Sequence, residues 1–152
     1  MNHIVNMRRS DKAEFIDGCI TIFIDNLKIG GSRYNLIINP ISKNTTNILR
    51  SRTKNAKITY SGSVTKINDN LLLMELDTSL KKDRLLEVMA HEMMHVKQIV
   101  SGMFSVVGKK HYWMGKEIKS SKMSYFNLPW EQHAWKNQCI LANTILSVLS
   151  DL

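Results

Sequence analysis

His91 and His95 stand four residues apart with Glu92 beside the first of them, inside the stretch "LLEVMAHEMMHVKQIVSG" that covers residues 85–102. On a helix that separation leaves two side chains about 40° apart on one face, one turn above the other. Two neutral imidazoles so placed supply a pair of ligands for a divalent ion on a rigid element. A carboxylate next to them can take a proton from water polarised by the ion and pass it to a leaving amine. His91-Glu92-Met93-Met94-His95 is thus the H-E-x-x-H arrangement of a zinc hydrolase, with Glu92 as the general base.

The arrangement works only on a helix, and the surrounding residues predict one. Leu85, Met89, Val96 and Val100 form an apolar arc beside the histidines, and the 3.6-residue period runs from Leu80 to Ser101. Asp77, Thr78 and Ser79 are candidate N-caps, and Gly102 is a suitable residue just past the C-terminus.

Two histidines make a weak site, so a third ligand must come from a later element. The candidates are His111, Glu117, Glu131 and His133. Glu131 is favoured, because Pro129 opens a helix and places it in the first turn, with Ala134 for close approach and Trp135 as an apolar wall. An anionic ligand also lowers the charge of the centre, which gives Glu92 more to do as base. His111, Tyr112 and Tyr125 are candidate donors to the oxyanion that forms at an attacked carbonyl, with His111 and Tyr125 retained as catalytic candidates. Gln98, on the histidine side of the helix, is read as a surface amide, the alternative being that it orients something in the cleft; Trp113 is read as the tryptophan nearest substrate, and the methionines as gap-fillers.

Three separated segments, "HEMMHVKQ" (91–98), "WMGK" (113–116) and "PWEQHA" (129–134), recur in the order found in a known family. In them the chain resembles the small zinc metallopeptidases of the gluzincin type, among them minimal phage or environmental ones. Those carry "HE-x-x-H-V-x-Q", "W-x-G-K" and "P-W-E-x-E-A". The resemblance spans roughly the second half of the chain. It implies a minimal zincin-like fold, a Zn2+ cofactor, a peptide or protein substrate, His91, His95 and Glu131 as zinc ligands, and Glu92 as base. His133 departs from the family's second glutamate. It lies about 200° round a helix from Glu131, so the two are not expected on one metal.

The wider sequence predicts an α+β domain filling residues 1–152. In it a strand-rich N-terminal half precedes the long histidine helix, a short β-hairpin and a long C-terminal helix. The first dozen residues read as a loose arm. "GCITIFIDNL" (18–27) reads as a strand for its β-branched and aromatic density, and "YNLIINP" (34–40) as another, with Pro40 at an edge or exit. "SKNTTNILRSRTKN" reads as loop, "AKITYSGSVTKI" as a hairpin around Ser61-Gly62, and residues 71–76 as a strand introduced by Asn-Asp-Asn. "KKHYWMGKEI" (109–118) turns near Gly115.

Cys19 and Cys139 lack paired-ligand spacing and read as free buried thiols. The N-terminus makes no secretory signal and the apolar runs are too short to cross a bilayer. A soluble, monomeric, cytoplasmic protein is expected, in a host cytoplasm if phage-encoded. Net charge is +8, and between Lys28 and Lys66 eight basic residues occur with no Asp or Glu. A solvated segment is the plainer expectation; the alternative is a basic module that contacts nucleic acid or nucleic-acid-bound proteins, with a structural metal.

Overall fold

The structure, a computed structural model, describes residues 1–41 and 61–151. Its elements are β1 (His3–Val5), α1 (Asp11–Asn26), β2 (Asn35–Ile41), β3 (Gly62–Asn68), β4 (Leu71–Asp77), α2 (Lys82–Val100), β5 (Phe104–Val107), β6 (Lys110–Trp113), β7 (Lys116–Ile118) and α3 (Pro129–Ser150). Short 3-10 turns at Ser120–Lys122 and Tyr125–Asn127 lead into α3. The protein is α+β, as its sequence pattern requires.

Two N-terminal expectations are overturned. Residues 18–26 are helical: Ile16, Cys19, Ile20, Phe23 and Ile24 form one buried face at helical spacing, and Ser10 caps the helix by accepting from the Ala13 N–H at 3.1 Å. Alternating isoleucines at 20, 22 and 24 mimic a strand, but only the helical face finds a core. Nor are the first residues a loose arm, because β1 pairs in parallel with β2, giving a β-α-β unit.

The main sheet runs β1-β2-β4-β3, parallel except for β3, which pairs antiparallel with β4. The β3–β4 hairpin closes at Asp69-Asn70, where Asn68 Oδ1 accepts from the Asn70 N–H at 2.9 Å. Ser61-Gly62 therefore does not form the expected turn: Gly62 starts β3, and the Ser61 carbonyl accepts from the Asp77 N–H. Pro40 lies beyond the last residue of β2 that β1 covers, where an N–H is not needed. The stretch 42–55 and residues 56–60 of the expected hairpin lie outside the described residues.

One sheet face, carrying Leu36, Ile38, Leu72, Met74 and Leu76, is sealed by α1 and α2. Each such side chain contributes about 1.5–3 kcal/mol on full burial. Ahead of α2, Asp77 does not cap the helix but accepts from Ser79, while Lys12 Nζ donates to the carbonyls of Thr78 and Leu80. The N-cap residue is Lys81, with no side-chain bond. Gly102 ends α2 as expected, with φ +77°.

A second sheet, β5-β6-β7, includes β5 besides the two strands expected. Its β6–β7 turn passes through Met114 and Gly115, both at positive φ, which suits a two-residue hairpin. Cys19 is buried but Cys139 is exposed, contrary to expectation, because α3 turns that face outward. Among the described residues no helix is long and apolar enough to cross a membrane.

Gly62 lets β3 approach α2: a Cβ there would lie 3.0 Å from Glu92 Cγ and Val88 Cγ1, and 3.1 Å from the Glu75 carbonyl oxygen. Gly62→Ala is expected to cost about 1–3 kcal/mol in a urea unfolding titration. An unchanged midpoint would mean that the strand and helix have more room than these distances allow.

Candidate metal centre

His91 and His95 project from the middle of α2 toward the first turn of α3, where Pro129 occupies the first helical position and Glu131 the third. Ala134, three residues after Glu131 and on its face of α3, is fully buried. Glu131 Oε2 lies 3.1 Å from His91 Nε2, Glu131 Oε1 lies 2.8 Å from His95 Nε2, and the two Nε2 atoms are 3.2 Å apart. Among the described residues this is the group of three or more His, Cys, Asp or Glu side chains whose geometry could hold a metal ion.

Each imidazole is held from behind. His91 Nδ1 donates to Gln138 Oε1 at 2.6 Å, and His95 Nδ1 donates to Gln98 Oε1 at 2.9 Å. With Nδ1 protonated, both Nε2 lone pairs point at the same small space as the Glu131 oxygens. Lone pairs so crowded repel unless a positive charge sits among them. In the metal-free protein that charge is a proton. Burial works against a charged His95, but the hydrogen bond to Glu131 and the charges of Glu92 and Glu131 outweigh it, so its pKa is raised to about 9. Burial also opposes ionised Glu131, yet hydrogen bonds with His91, His95 and Tyr125 hold it well below the usual carboxylate range. A divalent ion can replace the proton.

Glu92 is buried beside the three, and burial raises its pKa against the lowering effect of the histidines. Two cavities of about 270 and 260 Å³ flank the centre, and both are lined by Gly62, Glu92 and Tyr125. His91 opens on the first, with Trp135 and Phe126; His95 and Glu131 open on the second, with Ile99, Phe104 and Trp130. Glu92 therefore stands on the wall that the two cavities share. The Tyr125 hydroxyl reaches Glu131, which brings this sequence candidate to the site.

Other candidates lie elsewhere. His111 is hydrogen-bonded to Ser120 Oγ at 2.8 Å and packs on Phe104 and Trp130, outside the ligand triad and both cavity walls. Glu117 pairs with Lys119 at 2.9 Å. His133 contacts Gln98 instead of the triad, and burial with the charges of His95 and Lys136 lowers its pKa. Trp113 packs on His133. Gln98, expected at the surface, is 1% exposed. Gln138 was not singled out from sequence, although it lies seven residues after Glu131 and hence on its face, as Gln98 does relative to His91.

A scan against family models, a search of curated proteins and a search of solved structures each return no match to this chain.

Because an ion must displace the proton held by His95, Zn2+ titrated into metal-free protein at pH 7 should release about one proton. Calorimetry in buffers of different ionisation enthalpy measures this, and affinity should weaken as pH falls. A binding heat independent of buffer would contradict the exchange.

Proposed function

We propose that the protein is a zinc-dependent peptidase of the gluzincin type. The observation that carries the reading is the convergence of His91 Nε2, His95 Nε2 and Glu131 on one point, with Glu92 buried alongside and facing the groove. Two imidazoles and one carboxylate suit zinc, whose catalytic sites take three protein ligands and leave one position open. Ligands about 2.0–2.1 Å from zinc at tetrahedral angles lie about 3.3–3.4 Å from one another. The observed separations of 2.8–3.2 Å need only a small outward movement to admit it.

When bound, zinc would polarise a water molecule and the scissile carbonyl. Glu92 accepts the proton of that water as its oxygen bonds to the carbonyl carbon, then delivers it to the amide nitrogen as the C–N bond breaks. The raised pKa of Glu92 makes its carboxylate a stronger base toward that water. Tyr125 borders both cavities, and its hydroxyl, turned from Glu131, is the donor best placed to serve the carbonyl oxygen.

A peptide substrate is supported by β3, which among the described residues is one of the two edge strands of its sheet, β1 being the other. Ser61 and Gly62 line one cavity, and Gly62, Ser63 and Val64 the other, so the groove follows the strand past the centre. An extended peptide recognised by main-chain hydrogen bonds fits such an edge. Of the eight basic residues between Lys28 and Lys66, Lys43, Arg50, Arg52, Lys54 and Lys57 lie outside the described residues, and no observation of the site favours a nucleic-acid module over a peptidase.

Purified protein should contain close to one zinc per chain. Glu92→Gln should retain it while peptide cleavage falls about 10²–10⁴-fold, measured by zinc analysis and a quenched-fluorescence peptide library. Full activity in Glu92→Gln would eliminate the proposed proton transfer. Tyr125→Phe should lower kcat by about tenfold or more with little change in KM; an unchanged kcat would remove Tyr125 from the reaction.

A further inference from the structure

The amide of Gln98 is buried between α2 and α3, and the two ends of an amide are nearly the same size. Which end faces His95 is set by its partners. Gln98 Nε2 lies 2.9 Å from the Trp130 carbonyl oxygen, which can only accept, so the amino end must point there. The same nitrogen lies 2.8 Å from His133 Nδ1, which takes the second hydrogen. Both donors are thereby used on α3.

We propose that Gln98 is the positioning residue for His95, locked by the Trp130 carbonyl and His133 so that only its oxygen can face the imidazole. An amide oxygen accepts and cannot donate, so His95 must carry its proton on Nδ1 and present Nε2 to the centre. Turning the amide over would set its oxygen against the Trp130 carbonyl and leave a buried donor unmatched. Trp130, Glu131 and His133 belong to one helical turn, so the turn that supplies the third ligand also sets the nitrogen that His95 offers. His133, too far round α3 to join the triad, acts through Gln98.

This proposal rests on the metal-centre part of the proposed function and is independent of what is hydrolysed. Its test uses Zn2+ as the probe and reads binding and spectroscopy instead of cleavage. In zinc-loaded wild-type protein, nitrogen-15 NMR should show a His95 Nδ1 proton protected from exchange. Gln98→Met keeps the shape and removes both hydrogen-bonding ends. It should lose that protection and bind zinc about 10- to 100-fold more weakly. Unchanged affinity, or weakened affinity with the Nδ1 proton still protected, would overturn the assignment. If Gln98→Met does not fold, His133→Leu serves at a less buried position. It should weaken zinc binding about threefold or more and speed exchange of the same proton, because one of the two locks is gone. No change in either quantity would equally overturn it.

Discussion

A carboxylate buried between two imidazoles is the interaction on which the site depends. Glu131 lies within 3.1 Å of both ring nitrogens that face it, and none of the three side chains has much access to water. Such a cluster must contain positive charge, whether a proton or a metal ion, since ionised oxygens and ring lone pairs cannot otherwise share so small a space. The helix packing answers that requirement. Ala134 is fully buried, Pro129 starts α3 where Glu131 falls in its first turn, and Gln98 and Gln138 hold the far sides of the rings.

The sheet contributes access. β3 can lie against α2 because Gly62 has no side chain to collide with Glu92 and Val88. Glu92 is thus kept at the point where both flanking cavities meet. On the opposite wall, Tyr125 is presented by the 3-10 turn just before α3, while Trp135 packs on Tyr125, Phe126 and His91. Aromatic packing therefore shields one side of the centre, and the second hairpin sheet supports the other through Phe104 against Trp130.

Local pattern made part of this legible. The 3.6-residue period placed His91, Glu92 and His95 on one helix, Gly102 marked its end, and Pro129 with its following residues put Glu131 in the first turn of the last helix. The same method failed at residues 18–26, where isoleucine alternation imitates a strand while the deciding face, from Ile16 to Ile24, becomes distinct only against a core. It failed also at Asp77, which satisfies Ser79 instead of α2, and at Cys139, whose exposure depends on what α3 packs against.

By itself the sequence determined which helix carries the histidines and which acid can be aimed at them, because helical period, caps and proline act over a few residues. Tertiary structure alone decided how α2 and α3 face each other, and with that the fate of every side chain whose partner is distant in the chain. Gln98 is 32 residues from the carbonyl that orients it, His91 is 47 from Gln138, and Gly62 meets Glu92 across a strand–helix contact. No local pattern encodes such pairings; they arise when two helices and an edge strand are packed closely enough that a buried polar group must find a partner.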